Sequence, residues 1–139
     1  MPPQPASSVA AARTIYAFLI ASTAIVSTGA YVVHRTVAPP VAPGVSPLEY
    51  VALLLGLSAV TLVLLIRSRF PVRTDGLPAD EWWRANTGRA VLVWALLESP
   101  ALIGSAALFA TGHLAIYGAL VLLALAGLGT FTPSRLEGG

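Results

Sequence analysis

The sequence predicts an all-α protein, an integral membrane bundle of four transmembrane helices with both termini in the cytoplasm. Only 10% of the 139 residues are charged, whereas a soluble domain carries about 25%. Hydrophobic side chains make up 56% of the chain, and they are concentrated in four stretches. A helix needs about 20 residues to cross a bilayer, and each stretch is close to that length. These stretches lie near 14–33, 48–66, 90–110 and 113–131.

This composition excludes whole classes of protein. A chain with so little polar surface cannot cover a domain in water, so a soluble enzyme and a nucleic-acid-binding domain are both excluded. The sequence contains no cysteine, which excludes a disulfide scaffold. We expect residues 1–139 to form one membrane domain whose first partner is the lipid bilayer.

The segments between the apolar stretches predict how the helices connect. Residues 1–12 begin with three prolines among the first five residues, which is typical of a flexible tail. The segment 36–47 holds four prolines and favours a stiff, extended connector. Only residues 111–113 are available for the reversal between the third and fourth stretches, so these two helices must form a tight antiparallel hairpin and be neighbours.

The arginines predict the orientation. All eight positive residues are arginine, and seven of them flank the same side of the four-span arrangement. Positive residues are enriched in cytoplasmic segments, so the sequence predicts a multi-pass protein of the cytoplasmic (inner) membrane with both termini and the loop 67–89 inside. The seven arginines are Arg13, Arg67, Arg69, Arg73, Arg84, Arg89 and Arg135, whereas Arg35 stands alone on the other side.

Within the loop 67–89, the run 78–86 has helical spacing and predicts a short interfacial helix. Indole rings prefer the headgroup level of a bilayer, so Trp82, Trp83 and Arg84 are predicted to lie at the membrane interface. Arg84 is also spaced to pair with Asp80 one turn earlier. This helix is either an anchor that sets the tilt of the third span or a docking platform for a partner or an anionic lipid.

Small residues predict where the helices pack, because in lipid close backbone approach replaces the hydrophobic effect as the driving force. The first span carries a stripe of small residues at spacings of three and four, and Ala101 offers a small side chain in the third span. Hydroxyls such as Ser22, Thr23 and Ser27 can bond back to their own helix. The second span, rich in leucine and valine, is predicted to face lipid. The predicted small-residue stripe of the first span comprises Ala17, Ala21, Ala24 and Thr28.

Glu98 is the one acidic residue deep within a predicted span. A carboxylate there costs on the order of 3 kcal/mol, so Glu98 is predicted to face a neighbouring helix, together with Trp94, Ala101 and Ser105. Pro100 cannot donate a backbone hydrogen bond and should free the carbonyl of Leu96.

No arginine or lysine falls inside a span to neutralise Glu98. Three interpretations of Glu98 remain open. It is a neutral hydrogen-bonding acid at a helix interface, or it carries a proton or cation, with Ser99 and Ser105 as further ion-binding candidates. In the third interpretation, it pairs with a positive group or cofactor from another subunit.

The two histidines are weak candidates for a metal site. His34 and His113 both fall at the extracytoplasmic ends of their spans, where neutral imidazoles could ligate a metal. The nearest acid on that side is Glu49, in the first turn of the second span, where a carboxylate suits the helix dipole. No third ligand is evident, no catalytic motif is present, and no residue pattern indicates a cofactor.

The segment 89–104, RAVLVWALLESPALIG, resembles the ion-carrying helix of the proteolipid subunit (subunit c) of rotary ATPases. In that family a single carboxylate in an apolar helix binds the translocated proton or Na⁺, and an arginine-bearing cytoplasmic loop precedes the helix. The resemblance implies that Glu98 would be the ion site and that the segment 67–71, RSRFP, would be the loop.

Two functions remain open from the sequence. The first is a non-enzymatic accessory or scaffolding subunit of a larger membrane complex, bound to other membrane subunits or to itself, because the chain exposes little except helix faces and one loop. The second is a proton- or cation-translocating, proteolipid-like component built around Glu98.

Overall fold

The computed structural model describes residues 7–37, 41 and 44–138, and within them every regular element is a helix. The first three predicted spans lie within helices, and the fourth extends one residue beyond each end of its helix. The short final helix was not predicted. The helices are α1 (Ser8–Val37), α2 (Pro47–Ser68), α3 (Ala79–Thr111), α4 (Leu114–Thr130) and α5 (Pro133–Gly138).

Three of these helices are long and apolar enough to cross a membrane, namely α1, α2 and α3. The fourth, α4, is apolar but has 17 residues, which gives about 26 Å at 1.5 Å per residue. The chain is therefore a multi-pass helical membrane bundle in contact with lipid.

Two predicted connecting segments differ from the structure or lie outside it. The flexible tail predicted over 1–12 is wrong from Ser8 onward, because α1 begins there and α3 supplies hydrogen-bond acceptors to its first turn. Residues 1–6 are outside the described part of the chain, as are residues 38–40 and 42–43 of the proline connector predicted over 36–47.

The helix α3 is the centre of the bundle, since it packs against α1, α2 and α4. By contrast, α2 buries only a narrow stripe of residues, and all of its leucines except Leu53 are exposed, as predicted for a lipid-facing helix. The buried stripe of α2 comprises Glu49, Ala52, Gly56, Ala59 and Val63.

The predicted hairpin between α3 and α4 is confirmed. Gly112 ends α3 in the left-handed conformation, with φ of 75°, and its N–H donates to the carbonyl of Leu108 at 2.9 Å. A residue with a Cβ adopts this φ only at a cost. The reversal brings Leu120 of α4 against Gly104 of α3, where a Cβ would lie 3.0 Å from the Cβ of Leu120.

The packing face predicted for α1 is wrong. Ala17, Ala21, Ala24 and Thr28 are all exposed, and the opposite side of α1 faces the bundle. That side carries small residues at the same spacing, and it also carries Tyr16, whose hydroxyl donates to the carbonyl of Leu128 at 2.7 Å. The inward side holds Ala12, Thr23, Ser27, Ala30 and His34. The prediction for Ala101 is correct, since it is buried in α3.

At one end of the bundle, which we call the arginine-rich end, the start of α1, the end of α2, the start of α3 and the helix α5 meet. The separate interfacial helix predicted there is wrong, because residues 79–86 form the first turns of the unbroken α3. Trp82 and Trp83 are buried, with 3% and 1% of their surface exposed. They do not face lipid headgroups, because Phe70 and α5 cover them.

The buried aromatic rings at this end form a chain of contacts that we call the tryptophan cluster. Trp83 lies 4.9 Å from Trp82 and 6.1 Å from Trp94, measured between ring centroids. Phe70 contacts Trp82, and Tyr16 contacts Trp94. Such pairs add to the burial of the rings themselves, so this cluster ties α1, α3 and the loop after α2 together.

Candidate functional site

Glu98 lies on the face of α3 that meets the other helices, as predicted. Its neighbours at one and two turns, Trp94, Ala101 and Ser105, are all buried. Glu98 itself keeps 9% of its surface exposed. The carboxyl group therefore lies at a helix interface and does not project into lipid.

The partner of Glu98 is Ser22 of α1. The Ser22 hydroxyl oxygen lies 2.5 Å from Oε1 of Glu98 and 3.0 Å from the carbonyl oxygen of Leu19. A serine hydroxyl has one proton to donate. Ser22 can therefore give its single proton either to the carboxyl of Glu98 or to the carbonyl of Leu19. The contact with Glu98 joins the middle of α1 to the middle of α3.

Pro100 leaves the helix α3 continuous, because the carbonyl that it frees has another donor. The hydroxyl of Ser99 donates to the carbonyl oxygen of Leu96 at 2.8 Å. This bond replaces the missing backbone bond of Pro100. The Leu96 carbonyl, which Pro100 was predicted to free, is thus bonded by a side chain of the same helix.

The structure does not show Ser99 or Ser105 as partners of Glu98. Ser99 donates to Leu96, and Ser105 donates to the carbonyl of Ala101 at 2.8 Å. Sequence reasoning missed Ser22 as the partner, since Ser22 was interpreted only as a hydroxyl that bonds back to its own helix. It does so, and it also reaches Glu98. One signal in the sequence could have identified Ser22: it is a hydroxyl residue in another span, and a buried acid without a cation can bond to a hydroxyl.

No arginine or histidine among the described residues lies within ion-pair distance of Glu98. The site is thus a carboxyl, a hydroxyl and a backbone carbonyl that join α3 to α1. Such a chain of groups can hold two helices in one rotation.

A second buried polar centre lies at the opposite end of the bundle, around Glu49. Its side chain is fully buried, and it accepts the backbone N–H of Ser46 at 2.9 Å as the acidic member of a capping box. It also pairs with Nδ1 of His113. Glu49 therefore attaches the start of α2 to the turn between α3 and α4.

The histidine pair considered for a metal does not gain a third ligand. His113 is engaged by Glu49, and His34 is buried on α1 with no hydrogen-bond partner for its Nδ1 among the described residues. Within the part of the chain that the structure describes, no three His, Asp or Glu side chains lie close enough to hold a metal ion.

Among the residues predicted for the membrane interface, Arg84 is exposed and pairs with Asp80 at 3.2 Å, as its spacing indicated. Asp80 also serves the start of α1, which the sequence did not reveal.

Comparison with known proteins gives no relatives: no protein-family model, no curated protein and no solved structure matches this chain.

Proposed function

We propose that this chain is a non-enzymatic accessory or scaffolding subunit of a larger complex in the cytoplasmic membrane. One observation carries the proposal: the small-residue stripe of α1, Ala17, Ala21, Ala24 and Thr28, is turned outward. Small side chains allow another helix to approach closely, whereas they gain little from contact with lipid. A membrane subunit from another chain, or a second copy of this one, would use this stripe.

The internal polar groups support the same proposal. Glu98 is bonded to Ser22 and Glu49 to His113, so both buried acids serve contacts between helices of this chain. Together with the arginine distribution, which supports an orientation with both termini in the cytoplasm, they describe a rigid unit that offers helix faces to its surroundings.

The test is extraction in a mild detergent, followed by native mass determination and identification of the co-purifying proteins. We expect stoichiometric foreign subunits, or a second copy, to be lost when Ala21 and Ala24 are both replaced by leucine. Ala95→Leu, at an exposed position of α3, is the matched control and should retain them. A monomer that is free of other proteins before any substitution would contradict the proposal.

The alternative is a proton- or cation-translocating component. The observation that favours it is the 2.5 Å contact between Glu98 and Ser22, since a carboxyl beside a hydroxyl in mid-span offers the oxygen ligands that a translocated ion would need. If Glu98 carries the ion, Glu98→Gln abolishes ion flux in reconstituted vesicles and leaves assembly intact. If Glu98 is structural, wild-type vesicles show no flux above protein-free vesicles, and glutamine retains the hydrogen-bonded fold.

A further inference from the structure

We propose that the groove between the end of α2 and the start of α3 binds the headgroup and upper acyl chain of an anionic phospholipid. The groove has a volume of ≈ 320 Å³ and is lined by Ile66, Arg69, Phe70, Arg89 and Leu92. Two kinds of side chain line the groove. The cationic groups lie after the end of α2 and in α3, and the other lining side chains are apolar.

The charges in this groove are unpaired. Arg69 and Arg89 are exposed, and neither takes part in an ion pair among the described residues. Two other arginines at this end are held in ion pairs, since Arg73 binds Glu137 and Arg84 binds Asp80. Guanidinium groups match phosphate oxygens with two parallel hydrogen bonds. Two free guanidiniums at one groove therefore favour a phosphate-bearing ligand.

The apolar lining identifies the source of the phosphate. Leu92 is 51% exposed, and Ile66 lies half-buried on the other wall. Toward the centre of the bundle, α2 continues with exposed leucines such as Leu62 and Leu65. A free phosphate ion or a soluble acidic segment would leave this surface uncovered, whereas a phospholipid covers it with an acyl chain.

The position of the groove agrees with this ligand. Arg89 lies near the boundary between the polar first turns of α3 and its apolar spanning part, and Arg69 directly follows the apolar α2. Basic grooves between transmembrane helices at the boundary of the cytoplasmic leaflet are suited to anionic headgroups. The groove lies on α2 and α3, away from the outward stripe of α1, so this inference is independent of the proposed accessory function.

The experiment is a titration of the detergent-purified full chain with phosphatidylglycerol and with phosphatidylcholine of the same acyl chains, followed by native mass spectrometry. We expect tighter binding of phosphatidylglycerol. Each arginine near a membrane surface contributes about fivefold to such binding, so R69Q/R89Q should lose roughly 25-fold. R69K/R89K keeps the charges but cannot form the two parallel hydrogen bonds of a guanidinium. Its affinity for phosphatidylglycerol should lie between those of the unmodified chain and R69Q/R89Q.

The matched control is R13Q/R84Q, which removes two charges from the same end of the bundle outside the groove. It should retain the preference of the unmodified chain. Far-UV circular dichroism checks that each variant is folded. Equal binding of the two lipids, a preference retained by R69Q/R89Q, or a preference lost equally by R13Q/R84Q would overturn the proposal. Displacement of phosphatidylglycerol by inorganic phosphate, or binding of polyglutamate without lipid at equal affinity, would overturn it as well.

Discussion

Asp80 of α3 caps the start of α1, since its Oδ1 atom accepts the backbone N–H of Ser8 at 2.6 Å and that of Val9 at 3.4 Å. The first N–H groups of a helix have no partner within the helix and carry a partial positive charge. A carboxylate from another helix satisfies both needs. This contact holds the first turn of α1 against the first turn of α3.

Asp80→Ala should therefore fray the start of α1. We expect a loss of about 1 kcal/mol in the free energy of unfolding, the usual cost of removing a helix cap, and faster hydrogen exchange at residues 8–11. Glu81→Ala, which removes the adjacent exposed acid, is the control. Equal exchange rates in the two variants would show that Asp80 does not act as a cap.

Ser22→Ala should destabilise the bundle, because it leaves the carboxyl of Glu98 without its partner on α1. An unsatisfied buried polar group costs about 1–3 kcal/mol. Thermal unfolding in detergent, followed by circular dichroism, measures this loss. Ser58→Ala serves as the control, since Ser58 is exposed on α2 and bonds only to its own helix. A change no larger than that of the control would contradict the contact.

Gly104→Ala should push α3 and α4 apart. The added Cβ would lie 3.0 Å from the Cβ of Leu120, an atom that no rotamer change can move. Overpacking of this kind costs about 1–3 kcal/mol. Gly29→Ala in α1 meets no atom within 4 Å and should unfold at an unchanged or slightly higher temperature. A Gly104 variant as stable as the Gly29 variant would show that this helix contact is loose.

Glu137→Ala should release α5 from the arginine-rich end. Its carboxylate binds Nε of Arg73 at 3.0 Å and accepts the indole N–H of Trp83 at 3.2 Å. Without it, water should reach Trp83, so we expect a red shift of tryptophan fluorescence and faster proteolysis near Arg135. Ser134→Ala, at an exposed position of the same helix, should leave both readouts unchanged. Unchanged fluorescence in the Glu137 variant would argue against this role.

Glu49→Ala should lower the unfolding temperature more than Glu49→Gln does. Alanine leaves the N–H of Ser46 and the ring of His113 without their common acceptor, whereas glutamine keeps one acceptor oxygen. The comparison of the two variants in the same detergent measures the difference. Equal unfolding temperatures would mean that the hydrogen bonds at this acceptor add nothing to stability.

The class of the fold, the approximate spans, the α3–α4 hairpin and the inward face of Glu98 could all be predicted from the sequence. These features depend on local properties. Composition determines whether lipid is the solvent, apolar length determines where a helix can span, and a three-residue gap permits only one reversal. The cost of a carboxylate in hydrocarbon likewise depends on Glu98 alone.

The tertiary structure decided which surfaces meet. α1 carries small residues on two faces, and its rotation followed from distant partners such as Leu128, which accepts the hydroxyl of Tyr16. Glu98 and Ser22 are 76 residues apart, and Trp83 is buried because α5 folds back onto it. Such contacts depend on the rotation of whole helices, and helix rotation is the sum of many small packing terms that no single segment of the sequence contains.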